Sequence, residues 1–371
     1  MKHFPRVCLA VIPVTLLVLG CTGPSIKTSV QSDREVVLPT RSCGDFFIVD
    51  ALIEGRGPFS MVLDTGAGIT ILAPEVAEEI GAAKHLGSIV IDRFSAEGSI
   101  PFEPAPVDHL SRALGLKIEG ILAYGVFEGV LLTYDYPNRE VRIKDGAFSE
   151  SELALPGVVP TGTGARPFIR ASTDTQEFDV LLDTGASRGL SVMMLDLFAF
   201  ESPPRPTGVR MRMEGMSIVK SGRLAGDVAF GPLTLERPII HQSMSVNLVG
   251  QAILRNCAVT FDQINHRVRF ARSDGGLGVP IETPTLFGPG IAFDLKDDRL
   301  VVTLVFEETP AQRAGLRIED EILAIDGIPI AERGCEFREY EPNPGPRPVD
   351  YLVQHGGDQV TITILTDAIV R

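Results

Sequence analysis

The chain has no tryptophan and only five cysteines in 371 residues, too few for a scaffold built on disulfides. Positive charge is short as well. Lys and Arg number 34 against 48 Asp and Glu, and the net charge of −14 repels phosphate backbones and excludes a nucleic-acid binder. The six histidines (His3, His85, His109, His241, His266, His355) are scattered, with no HExxH and no Cys/His cluster, so no zinc or other metal site is expected. There is no G-x-S-x-G elbow for a serine nucleophile. The stretch PTGTGARPF (160–168) lacks the Lys-Ser/Thr end of a phosphate loop and reads as a connection between lobes. After residue 20 no apolar run reaches the roughly 18 residues that span a bilayer. What is abundant is turn chemistry, 37 Gly and 27 Pro, within 44% hydrophobic and 22% charged residues, the profile of a globular chain of short strands. The length predicts two or three domains.

Residues 1–20, MKHFPRVCLAVIPVTLLVLG, join a short basic start to a brief apolar run that ends in a small residue, the pattern of a secretory signal peptide. The run closes on Val18-Leu19-Gly20-Cys21, which resembles the bacterial lipobox. The resemblance implies cleavage behind Gly20, lipidation of Cys21 and a place in the cell envelope facing the periplasm, with Thr22 favouring the outer membrane. Loss of Lys2 and Arg6, with no acid, leaves a mature chain of −14 − 2 = −16. Residues 21–40 read as a polar tether. Of the remaining cysteines, Cys43, Cys257 and Cys335 allow one pairing plus one thiol, and Cys257, in an apolar strand, reads as a buried thiol.

Comparison of the chain with itself is the most informative step. PFSMVLDTGAGITIL (58–72) aligns with EFDVLLDTGASRGLSV (177–192), and GILAYGVFEGVLLTYDYPNREVRI (120–143) with NLVGQAILRNCAVTFDQINHRVRF (247–270). Asp64 and Asp183 lie 119 residues apart, while Asp135 and Asp262 lie 127 apart, which places an insertion in the middle of the second unit. One D-T-G would mean little. Two in matching contexts mean a duplicated module. Each module reads as β-rich, with strands in FFIVDALI, MVLD, VLLTYDY and REVRI and helix confined to pieces such as PEVAEEIGAA. The apolar run before each Asp predicts a buried strand and T-G-A a tight turn, which delivers a carboxylate to the strand end.

The two D-T-G-A segments, the strand before each, and Leu248-Val249-Gly250 resemble the pepsin and retropepsin superfamily of aspartic proteases, in its bacterial retropepsin-like branch with two lobes in one chain, over about residues 42–272. The first unit carries Ile121-Leu122-Ala123, with Ala where that family has Gly, and Gly189 stands where the first unit has Thr70. The resemblance implies a dyad of Asp64 and Asp183, supported by Thr65, Gly66, Ala67, Thr184, Gly185 and Ala186, with the two threonines bonded across the lobe interface. The chemistry explains the duplication. Peptide hydrolysis needs one ionised carboxylate to take a proton from water and one protonated carboxyl to polarise the carbonyl, and two carboxyls about 3 Å apart share a single proton. No cofactor is needed. An alanine after D-T-G withholds a hydroxyl from the carboxylate and predicts activity near neutral pH. Candidate lids are the Gly98 region, RFSAEGSIPF, and the Ser221-Gly222 region, SIVKSGRL.

After Phe270, ARSDGGLGVPIETPTLFGPG reads as a linker. Beyond it, Thr309-Pro310-Ala311, Ala314-Gly315-Leu316, Asp320, Ile322-Leu323 and Asp326-Gly327 resemble a PDZ domain of the bacterial protease type, with Glu319 replacing a Gly. That resemblance implies a groove-lining helix at PVDYLVQHG (348–356), a last strand at QVTITIL (359–365), and an extended peptide, often a C-terminus, bound by strand addition near Gly288, Gly290 and Ile291.

The expected architecture is therefore mainly β: a signal peptide (1–20), a tether (21–40), two acid-protease-like lobes (41–150 and 160–273) related by a pseudo-two-fold, and a C-terminal PDZ-like α+β domain (285–371). The expected function is an aspartic endopeptidase acting on polypeptides, held at a membrane by its lipid anchor. The alternatives are an envelope lipoprotein that captures peptides without cutting them, and a protein that processes only itself.

Overall fold

The segment FFIVDALI forms the strand Phe46–Ile53 and pairs antiparallel with Arg56–Asp64, Ile48 opposite Val62 and Val49 opposite Met61. Phe47, Val49, Met61 and Leu63 are buried in the main core, and the apolar run stops where Asp64 reaches the strand end. Arg56–Asp64 also lies parallel to Gly120–Ala123, which in turn pairs antiparallel with Thr70–Leu72. The chain thus leaves one side of Gly120–Ala123 at Asp64, turns, and returns on its other side. The second lobe repeats this arrangement: Glu177–Leu182 runs parallel to Leu248–Val249, and Leu190–Val192 is antiparallel to it. The computed structural model describes residues 26–212, 215–272, 276–296, 299–332 and 345–370.

The lobes are joined by a six-stranded sheet in which Val130–Asp135 and Ala258–Asp262 form an antiparallel pair. Thr133 stands opposite Thr260 and their hydroxyls are 2.9 Å apart, which marks the pseudo-two-fold axis. On either side of that axis the same turn is built twice. The Asn138 N–H and side-chain amide donate to Asp135 at 3.2 and 2.9 Å, and those of Asn265 donate to Asp262 at 3.0 and 2.8 Å. One apolar core runs through both lobes, and Cys257 is fully buried in it.

Three expectations change here. Residues 21–40 are not all tether: Lys27–Val30 pairs with Phe94–Glu97, and Val36–Leu38 with Val141–Ile143, where Leu38 buries its side chain. The stretch after Phe270 is not all linker. Ile281–Glu282 adds a parallel strand to the second lobe's sheet, with Ile281 in the core and the Thr283 hydroxyl accepting the Ile239 N–H at 2.9 Å. Neither Gly98 nor Ser221-Gly222 is at a hairpin tip, although the segment RFSAEGSIPF begins at one. Gly98 lies within the continuous strand Phe94–Pro104, whose hairpin turns at Asp92 and Arg93, and Ser221-Gly222 sits at the base of the hairpin Arg205–Arg212/Gly215–Arg223, paired with Ile239–His241.

The C-terminal unit has its own core around Leu300, Val302, Ile322, Tyr351, Val353 and Ile364. Its sheet runs in the order Ile291–Lys296, Arg299–Val305, Glu321–Ile325, Pro348–His355, Asp358–Leu365. The segment 348–356, expected as a helix, is therefore mostly strand. Val349, Tyr351 and Val353 face inward at a period of two, and the strand is paired on both sides, which a helix there could not be. The strand expected at 359–365 is present as Asp358–Leu365, and a further short strand, Asp367–Val370, comes after it. Residues 333–344, including Cys335, lie outside the described residues.

Candidate active site

Asp64 and Asp183 enter the site from the two matching strand ends, and the loops after them are locked to each other. The Thr65 N–H donates to the Thr184 hydroxyl oxygen at 3.0 Å and the Thr184 N–H to that of Thr65 at 3.1 Å. Each hydroxyl donates onward across the interface, Thr65 to the Leu182 carbonyl at 2.7 Å and Thr184 to the Leu63 carbonyl at 3.3 Å. Both threonines are buried, so all four groups are satisfied where water cannot reach them. Below them lies Tyr134, fully buried, its hydroxyl bonded to Thr184 and its acidity suppressed chiefly by burial.

The two carboxyl groups hydrogen-bond each other. The Gly66 N–H donates to Asp64 Oδ1 at 2.7 Å, and the Gly185 N–H to Asp183 Oδ1 at 2.9 Å. Glycine is required at both places because the loops cross so closely: a Cβ on Gly66 would stand 2.5 Å from the Asp183 carboxyl carbon, and one on Gly185 would overlap the Asp64 carboxyl. Burial pushes Asp183 up to about 7, the charge of Asp64 adds to this, and the Gly185 N–H opposes it. Burial raises Asp64 too, against the pull of the Gly66 N–H. A pair of carboxyls in mutual contact and both raised shares one proton, which is lost as pH rises through about 7.

The two departures from symmetry, Ala123 and Gly189, fit their own lobes. Ala123 is buried and its N–H donates to the Thr70 hydroxyl at 3.4 Å. In the second lobe Gly250 takes its place, where a Cβ would overlap the carbonyls of Arg188 and Ala186, and its N–H donates instead to the Gly189 carbonyl at 3.1 Å. A Cβ on Gly189 would stand 3.2 Å from Ile253, so a threonine there would have to push that side chain aside. Three residues that the motif did not single out complete the surroundings. Gln251 donates its side-chain amide to the Thr184 carbonyl at 2.5 Å, Arg166 lies against Gly68, and Arg188 lies against Gly208. Arg188 and Gln251 lie inside the duplicated segments, and Arg166 lies eleven residues before the one that starts at Glu177.

In the C-terminal unit the predicted peptide-binding residues Gly288, Gly290 and Ile291 stand together where one strand ends and another begins. Leu286–Gly288 pairs with Asp367–Val370, and Ile291 opens a strand bonded on one edge, to Arg299–Val305, within the described residues. Gly290 has φ +79, and a Cβ there would overlap Thr309. Thr309 caps the helix Pro310–Ala314, and the Ala311 N–H donates to the Pro289 carbonyl at 2.9 Å. Residues 289–366 match the family model of the PDZ domain. The C-terminal unit is a PDZ domain.

Solved structures similar to the chain include that of a PDZ domain protein from Parabacteroides distasonis, 16% identical over 23% of this chain and 21% of that one, with a TM-score of 0.21. The match thus spans about a fifth of that protein. The PDZ domain of the carboxy-terminal protease from Vibrio cholerae, solved in complex with a peptide, is 21% identical over 23% of this chain and 98% of its own, with a TM-score of 0.20. A retropepsin-like aspartic protease from Rickettsia conorii is 18% identical over 33% of this chain and 96% of its own, with a TM-score of 0.24. No curated protein matches the chain in sequence.

Proposed function

We propose that the two lobes form an aspartic endopeptidase, and that Asp64 and Asp183 are its catalytic pair. The observation that carries this reading is the mutual hydrogen bond of two raised carboxyls held by matching glycine N–H groups. The pair with one proton has both functions that hydrolysis needs. Its ionised member takes a proton from a water whose oxygen attacks the peptide carbonyl carbon, while its protonated member donates to the carbonyl oxygen. Collapse of the tetrahedral intermediate breaks the C–N bond. The leaving nitrogen collects a proton from the pair, which returns to its starting state. The glycine N–H groups and the crossed threonines keep the carboxyls in place throughout, so little reorganisation accompanies the reaction.

Substrate on this reading is an extended polypeptide between the lobes. The PDZ domain adds a second peptide site on the strand from Ile291, with the Gly288–Gly290 turn receiving a terminal carboxylate. Lipidation of Cys21 would keep the whole chain at a bacterial envelope membrane. The test is proteolysis of an unstructured polypeptide by the purified chain from Cys21 onward. Asp64→Asn and Asp183→Asn should each abolish it, as should a statine-type inhibitor. Cleavage by both variants at the parent rate sinks the reading, and retention of intact peptide unaffected by either substitution selects the binding-only alternative.

A further inference from the structure

Along Val130–Asp135, Leu132 and Tyr134 are buried in the core beneath the carboxyl pair, so Leu131 and Thr133 face the other side of the interlobe sheet. That outer face carries a symmetric row. Thr133 stands opposite both Arg142 and Thr260, and Thr260 stands opposite Arg269, so the order across four strands is Arg142, Thr133, Thr260, Arg269. Arg142 and Arg269 occupy the same place in the two copies of the module.

The copies use the two arginines differently. Arg142 is paired twice, its Nη2 donating to Asp135 at 2.6 Å and its Nη1 to Glu35 at 2.9 Å. In the second copy the acid equivalent to Asp135 is Asp262, and the Phe148 backbone N–H occupies its Oδ2 at 2.8 Å, beside the Asn265 amide. Arg269 is left with no acid among the described residues. The Nε of each arginine is buried without a hydrogen-bond partner, but only Arg142 has carboxylates on its terminal nitrogens. A partly buried guanidinium in that state is costly unless an acceptor from outside the chain meets it.

Arg269 lines a groove of about 370 Å³, together with Thr133, Thr260, Lys144 and Arg34. The two acids of the groove are already engaged, Glu152 by Lys144 at 3.2 Å and Glu35 by Arg142 at 2.9 Å. Arg34 and Arg269 are its two cations without an acid among the described residues. Of the two threonine hydroxyls, 2.9 Å apart, one donates to the other, and the second keeps a proton to give.

We propose that this groove is a binding site for a phosphate group, held by the Arg269 fork, Lys144, Arg34 and a threonine hydroxyl. The donors converge without a free acceptor among them, which suits an anion with several oxygens and no proton to give. Bound there, phosphate joins Thr260 and Arg269 of the second lobe to Thr133 and Lys144 of the first and to Arg34 of the N-terminal segment. It clamps the lobes from the side opposite the carboxyl pair, and it does so whether or not that pair cleaves peptides. The phosphate is either free or part of a lipid headgroup, since Arg34 lies 34 − 21 = 13 residues from the anchor proposed at Cys21.

The experiment uses the purified chain from Cys21 onward. Inorganic phosphate is titrated by calorimetry against a chloride control of matched ionic strength, and the unfolding midpoint of the lobes is followed in both salts. The chain should take up one phosphate and unfold at a higher temperature in its presence. Arg269→Gln should weaken uptake at least about tenfold and remove the rise in midpoint; Arg34→Gln, in an exposed segment, should weaken it by a smaller factor. Flotation with phosphatidylglycerol vesicles, against vesicles of an uncharged glycolipid without phosphate, separates the two sources. Flotation that Arg269→Gln abolishes, without uptake of inorganic phosphate, assigns the site to a headgroup. Uptake without flotation assigns it to free phosphate, and both together keep the site open to either. Neither uptake nor flotation, or equal behaviour of the parent and Arg269→Gln, overturns the site.

Discussion

Thr65 and Thr184 exchange their backbone N–H groups for each other's hydroxyl oxygens at 3.0 and 3.1 Å, across 119 residues of sequence. This exchange ties the folding of one lobe to the presence of the other. Thr184→Val should leave the Thr65 N–H buried without an acceptor and lower stability by roughly 1–3 kcal/mol, whereas Thr184→Ser, which keeps the hydroxyl, should cost well under half of that. Urea unfolding of the three proteins checks the difference.

Gly66 brings its loop against the opposing carboxylate, where a Cβ would stand 2.5 Å from Asp183. Gly66→Ala should reduce turnover at least about a hundredfold by forcing Asp183 away, a geometric loss of the kind that small misplacements cause. Circular dichroism should remain near that of the parent. Turnover close to the parent's would mean that the two carboxyls need not touch.

The raised Asp183 makes two statements about pH. Activity requires the single shared proton, so kcat/KM should fall as pH rises through about 7, by about tenfold per unit beyond it. Stability follows the same group. Its folded value of about 7 exceeds its ordinary 3.8, so ionisation costs folding energy that is absent at low pH and grows across that window. Asp183→Asn should therefore be more stable than the parent at pH 8, by roughly 1–3 kcal/mol, and nearly equal to it at pH 4. Thermal unfolding at the two values decides it.

Gly290 adopts φ +79 beneath Thr309. Gly290→Ala should destabilise the PDZ domain by roughly 1–3 kcal/mol and abolish the peptide capture proposed for it. The lobes have a separate apolar core, so calorimetry should show the PDZ transition shifted down and the lobe transition unmoved.

The duplicated D-T-G-A was legible because it combines a local turn with an apolar strand, and both are written in adjacent residues. Phe46–Ile53 was legible for the same reason, from its run of β-branched and aromatic residues. What escaped was non-local. Lys27–Val30 carries no apolar period and becomes a strand because Ser29 and Val30 find Ser95 and Phe94 far along the chain. The helix expected at 348–356 follows from that segment's slot in a related fold, whereas Val349, Tyr351 and Val353 alternate as a strand does. Gln251 and Arg166 act through contacts distant in sequence, Gln251 with the Thr184 carbonyl of its own lobe and Arg166 beside Gly68 of the other, which no local spacing encodes.

The strand at Lys27–Val30 also sets a leash. With Cys21 carrying lipid as proposed, only residues 22–26 separate the anchor from the first paired residue of the first lobe. Fully extended, that stretch reaches about 20 Å, where a free segment through residue 40 would reach about 70 Å. With the anchor proposed, that leash would hold the first lobe against the membrane surface instead of letting it range above it.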